Sequence, residues 1–139
     1  MADNVTREAS CACGQLAITM TGEPMLVSAC CCTRCQRRTG SFFGVTAYFQ
    51  THQLAGHRGA ASTFRRPDGA ATFHYCATCG SSIWWVPDVE ESEPDLMGVA
   101  GGAFADSVLP GPHRMTFTAT GHPFVTSPRG IPTFEDSPN

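Results

Sequence analysis

Apolar and polar residues alternate with a period of two along much of this chain, in runs too short for long helices. Leu16, Ile18 and Met20 alternate with Gln15, Thr19 and Thr21, the pattern of a half-buried strand. A turn at Thr21-Gly22-Glu23-Pro24 leads into a second strand over residues 25–29, which delivers Cys30. Residues 41–50 are the most strand-like: Phe43, Val45, Ala47 and Phe49 share one face, and Phe42, Thr46 and Tyr48 the other. Rings on both faces predict a central strand whose aromatics are ordinary core. Residues 61–66 and 70–75 flank Pro67-Asp68-Gly69, a hairpin turn in which Pro fixes φ and Gly accepts φ > 0. Further strands are predicted over 82–86, 96–100 and 115–118, with a turn at Gly101-Gly102. The one helical turn expected is 35–38, with Thr33 as N-cap and Gly40 as its stop. Residues 52–60, the acidic stretch 87–94 and 106–112 read as loops, and 1–9 and about 126–139 as irregular tails. The expectation is one mainly β domain over residues 1–139, with little helix.

Composition supports strands and turns. Charged residues are 15 % of the chain, and 14 Gly and 10 Pro punctuate it. The formal charge is −3, and all nine basic residues are Arg. A negative chain without Lys is a poor polyanion binder, so no nucleic-acid partner is expected. No stretch approaches the roughly 20 apolar residues of a membrane span, and the N-terminus is too polar for a signal peptide. The expected setting is therefore a reducing cytoplasm, with no membrane partner.

The chemistry lies in the cysteines. All eight fall in three short clusters: Cys11-Ala12-Cys13, Cys30-Cys31-Cys32-Thr33-Arg34-Cys35 and Cys76-Ala77-Thr78-Cys79-Gly80. Two sulfurs from one tight turn can reach the same soft cation, so zinc is expected, with iron fitting the same geometry. In the Cys76/Cys79 knuckle, backbone N–H groups should point at sulfur and Gly80 should take φ > 0. Cys11 and Cys13 are the natural second pair, giving a closed structural site of Cys11, Cys13, Cys76 and Cys79. Cys30, Cys32 and Cys35 form a second site with an open position, the arrangement of catalytic zinc. Cys31 would close that site if it turned inward, although an extended backbone points it away. A redox role for Cys32 and Cys35, and a disulfide framework, are the other readings of these spacings. Arg34, Arg37 and Arg38 crowd the same loop, where they can bind an anionic substrate or simply balance thiolate charge. His74, His113 and His122 are possible acid–base groups or structural histidines.

These motifs resemble a family. Cys11-x-Cys13-Gly14, Cys30-x-Cys32-x-x-Cys35 followed by Arg37-Arg38 and Gly40, and Tyr75-Cys76-x-x-Cys79-Gly80-Ser81 are similar to the glutathione-dependent formaldehyde-activating enzymes, a family that also includes centromere protein V-like proteins. The similarity continues through Gly101-Gly102-Ala103-Phe104-Ala105-Asp106, Pro112-His113 and Pro123-Phe124. It implies a β-tent of small antiparallel sheets with two zinc ions. Cys11, Cys13, Cys76 and Cys79 would hold the structural ion, and Cys30, Cys32 and Cys35 the activity-related one. It also implies carbon–sulfur lyase-type chemistry, in which a small thiol such as glutathione is joined to formaldehyde. The chain departs from the family pattern at Cys31, where His is common, and at Phe124, where Trp is common. The competing expectations are a non-catalytic zinc scaffold with both sites closed, and a thiol redox sensor.

Overall fold

The computed structural model describes residues 5–68, 71–87 and 95–138. Its elements are β1 (Thr6–Ser10), β2 (Ala17–Thr21), β3 (Leu26–Cys30), α1 (Thr33–Thr39), β4 (Gly44–Gln50), β5 (Leu54–Arg58), β6 (Ala61–Arg65), β7 (Ala71–Cys76), β8 (Ser82–Pro87), β9 (Leu96–Ala100) and β10 (Arg114–Thr116). Short 3-10 helices cover Thr51–Gln53, Gly101–Phe104 and Thr118–Thr120. The strands form two sheets, one ordered β1-β2-β5 and one ordered β10-β3-β4-β9-β8-β7-β6. Neighbours are antiparallel except β10, which lies parallel to β3. The mainly β fold with little helix is thus as expected, the parallel pair excepted. No described helix is long and apolar enough to cross a membrane.

Side chains of alternate parity divide the larger sheet into two chemically different faces. Val27 of β3, Ala47 and Phe49 of β4, Met97 and Val99 of β9 and Trp84 of β8 are buried against Leu16 and against Ile18 and Met20 of β2. That apolar layer is the main core, and β4 lies inside its sheet as the ring-rich pattern predicts. The opposite face carries Ser28, Cys30, Thr46 and Tyr48, and this is where α1 sits. Gly44 permits the approach, because a Cβ there would stand 2.9 Å from Arg38 Nη2 and 3.3 Å from Cys35 Cβ. Gly98 plays the same part for an aromatic ring: its missing side chain leaves room for the Trp85 indole, with which a Cβ would collide.

Four local expectations are corrected. Residues 6–9 are not a frayed tail but most of β1, which pairs with β2 from Thr6↔Thr21 to Ser10↔Ala17. Only Ala9 of that strand is buried, so its polar sequence hid it. Residues 54–58, read as loop, are β5, an edge strand without the inward apolar residues that mark a strand. Helix α1 is capped by Cys32, not Thr33, with Cys32 Sγ accepting from the Cys35 backbone N–H at 3.3 Å. Gly40 ends it in the left-handed conformation at φ 70°, as expected. The Gly101-Gly102 turn extends into the 3-10 helix that buries Phe104. The C-terminal segment runs beside β10, where Phe134 donates to the Met115 carbonyl at 2.9 Å and Met115 to Pro132 at 3.1 Å. Gly69 of the hairpin and Asp88, Glu90, Glu91 and Glu93 of the acidic stretch lie outside the described residues.

Candidate metal centres

The turn after β1 and the turn after β7 bring Cys11, Cys13, Cys76 and Cys79 together, with all four sulfurs within 4.8 Å of one another. Cys11 and Cys13 are held in a tight turn: Gly14 donates to the Cys11 carbonyl at 3.1 Å and takes φ 83°. The knuckle at Cys76 has the geometry the sequence predicts. Thr78 and Cys79 N–H groups donate to Cys76 Sγ, both at 3.3 Å, and Gly80 takes φ 81°. Leu16 N–H donates to Cys11 Sγ at 3.3 Å, and the Gln15 amide to Cys76 Sγ at 3.1 Å.

These contacts fit a metal. A tetrahedron of zinc–sulfur bonds about 2.3 Å long has edges of about 3.8 Å. The Cys11–Cys13 and Cys13–Cys76 sulfur separations are 3.6 and 3.7 Å. A disulfide needs about 2.05 Å, and none of the eight cysteines forms one. Without a cation the group shares protons unevenly. Cys79 is pulled down to about 5 by the Ser81 hydroxyl and by the backbone N–H groups of Ser81 and Cys13. Cys76 falls to about 7, because the N–H groups of Cys79 and Thr78 and the Gln15 amide outweigh its burial. The Gln15 N–H pulls Cys13 down, but desolvation and hydrogen bonds to the other three thiols push it up to about 11. A divalent cation relieves this sharing by letting every sulfur be a thiolate.

A second group forms where β3 ends and α1 begins. Cys30, Cys32 and Cys35 place their sulfurs within 4.8 Å of one another, all half-buried. A hydrogen bond from Cys35 is the largest cause holding Cys30 down to about 5, with Thr116 and Cys32 adding to it against burial. The same bond raises Cys35, helped by burial and by the negative charges of Cys30 and Cys32. Cys31 faces the other way. It is 1 % exposed and packs with Ala29 and Met115 in a separate apolar cluster. Burial, then the charges of Cys30 and Cys32, raise its pKa. Gly121 approaches it closely, with a Cβ there only 3.5 Å from Cys31 Sγ. This donor set therefore has three sulfurs, and it suits a soft cation with one further ligand.

The arginines of α1 have separate fates. Arg34 pairs with Asp68 at 2.6 Å, and Arg37 is exposed. Arg38 lies over the Trp85 ring, its guanidinium carbon 4.5 Å from the ring centroid and 5.8 Å from that of Phe73. The histidines lie apart from the sulfurs in their contacts. His74 stacks on Trp84, His113 Nδ1 accepts the Val27 N–H at 2.9 Å, and His122 Nε2 meets Gln36 Oε1 at 2.9 Å. Sequence reasoning missed Ser28, Thr46, Tyr48, Arg114 and Thr116. Strand register places Arg114 beside Ser28, Thr116 beside Cys30, Ser28 beside Thr46 and Cys30 beside Gly44, all on the face that α1 covers. The available signal was parity: each is the polar member of an alternating strand, in step with Cys30.

Comparison with known proteins agrees with this picture. The family model for glutathione-dependent formaldehyde-activating enzymes matches residues 6–120, which include all eight cysteines. No curated protein matches the chain in sequence. A crystal structure of a Rhodobacter sphaeroides protein shares the fold at 22 % identity and a TM-score of 0.56, over 91 % of this chain and 98 % of that one.

Proposed function

Because this chain belongs to the glutathione-dependent formaldehyde-activating enzyme family, we propose that it is a zinc enzyme of the cytoplasm that adds a small thiol of the glutathione class to an aldehyde. Cys11, Cys13, Cys76 and Cys79 would hold a structural zinc ion, and Cys30, Cys32 and Cys35 would hold a second ion that would activate the thiol. The observation that carries this reading is the direction of Cys31. With its side chain packed against Ala29 and Met115, the second group keeps three sulfur donors. This disfavours the scaffold reading, which needs Cys31 as a fourth ligand.

The reaction is an addition without a redox change: a sulfur–carbon bond forms, the carbonyl π bond breaks, and the thiol proton ends on the new hydroxyl. Zinc, when bound by three thiolates, supplies a fourth coordination position that lowers the pKa of a thiol. The chain's own groups hold the reactants. Thr116 stands beside Cys30 across the parallel pairing, and its hydroxyl lowers the pKa of that thiol. Arg38, braced on Trp85, keeps a cation on the same face, where it can attract an anionic thiol substrate. Arg34 and Arg37 serve as outer cations, the first restrained by Asp68.

The test is the rate at which zinc-loaded protein forms the S-hydroxymethyl adduct from glutathione and formaldehyde, measured above the spontaneous rate by NMR. Cys35→Ala should return that rate to background while circular dichroism and one zinc per chain persist. A Cys35→Ala variant with the wild-type rate, or a wild type that never exceeds background, would refute the proposal.

A further inference from the structure

We infer that Arg114 anchors a carboxylate carried by the thiol substrate, so that the site prefers acidic thiols over neutral ones; this rests on the proposed thiol site. Among the described residues, the buried polar side chains are Ser28, Thr46 and Thr116, at 5 %, 7 % and 4 % exposure. All three sit together on the face that carries Cys30. Ser28 is the register partner of both Thr46 and Arg114, and Thr116 that of Cys30. Three clustered hydroxyls make this face polar, with Ser28 accepting from Arg114 and Thr116 donating to the Ala29 carbonyl at 3.4 Å.

Arg114 is the cation of that surface. Its Nε donates to Ser28 Oγ at 3.0 Å, which fixes the plane of the guanidinium. Neither Nη has a hydrogen-bond partner among the described residues, and no described carboxylate pairs with it. The other arginines near acids are committed: Arg7 to Glu23, Arg34 and Arg66 to Asp68, and Arg58 to Glu8. A half-buried guanidinium whose two Nη groups are free presents the edge between them to a carboxylate in bidentate fashion. Thr116 is one same-face step from Arg114 along β10, about 6.6 Å, and Cys30 lies diagonally across on β3, about 8 Å away. A molecule whose sulfur and carboxylate are a few bonds apart can span that step. Tyr48 lies in the same electrostatic neighbourhood: burial raises its pKa, Arg114 opposes that, and Cys35 and Cys30 add to it.

The matched probes are N-acetylcysteine and N-acetylcysteine amide, which differ only at the carboxyl group. Their binding to zinc-loaded protein is measured by calorimetry, and their formaldehyde adduct rates in parallel. Wild type should bind the acid at least ten-fold more tightly than the amide. Arg114→Gln should weaken the acid by roughly 10- to 100-fold and leave the amide within about two-fold. Arg114→Lys should recover part of the loss. Equal affinity of the wild type for the two probes, or an equal loss of both in Arg114→Gln, overturns the inference. If Arg114→Gln does not fold, Ser28→Ala should still cut acid-over-amide selectivity several-fold, and unchanged selectivity there is also fatal. Selective binding without any adduct formation would support the anchor and sink the enzyme reading instead.

Discussion

Cys31 and Cys35 are four positions apart across the junction of β3 and α1 and have opposite environments. Cys35 lies half-buried with the sulfurs of Cys30 and Cys32, whereas Cys31 is a small apolar side chain under Gly121. Cys31→Ser should therefore leave the zinc content unchanged but lower stability by about 1–3 kcal/mol, the cost of placing a hydroxyl in an apolar pocket. Denaturant unfolding together with metal analysis checks both halves. Loss of zinc in Cys31→Ser would mean that this sulfur is a ligand after all. The seven grouped cysteines were legible in the sequence because metal spacing is a local property of one turn. The direction of Cys31 was legible too, from the parity of an extended backbone. Arg114 and Thr116 were not, because they meet Cys30 only through a parallel pairing between strands more than 80 residues apart.

At the scale of elements, α1 illustrates how little intrinsic stability a functional helix needs. Seven residues are too few to persist in water, and its first turn contains no acidic residue. It is held by the Cys32 cap, by Gly40, and by contact with β4 at Gly44. Arg37 and Arg38 in its last turn suit the dipole, and Arg38 reaches on to Trp85. Trp85 in turn depends on Gly98 of β9. Gly98→Ala should displace the indole, cost about 1–3 kcal/mol by overpacking, and change tryptophan emission. It should also weaken binding of anionic thiols by releasing Arg38. Unchanged emission and stability would show that Trp85 does not lie where the sheet places it. The alternating strands β2, β4, β8 and β9 were readable because each has a buried inner face. The edge strands β1 and β5 were not, since pairing and not burial defines them.

The whole molecule joins two sheets at two kinds of contact. Between their inner faces lies the apolar layer of Leu16, Ile18, Met20, Phe49, Met97 and Val99. At one end, the turn that follows β1 meets the turn between β7 and β8, and the four sulfurs there link the smaller sheet to the larger. A metal at that junction acts as a cross-link between segments 63 residues apart, from Cys13 to Cys76. Its binding free energy adds directly to folding. The second group crosses no such junction, because Cys30, Cys32 and Cys35 belong to one continuous stretch on the outer face. The proposed division of labour assigns one ion to the fold and one to chemistry. Zinc-edge X-ray absorption on the purified, quantified protein tests it most directly. Two zinc ions per chain, with a mean coordination between three and four sulfurs at about 2.3 Å and a lighter ligand making up the remainder, is the predicted result. A folded chain without metal, or two ions each bound by four sulfurs, would contradict it.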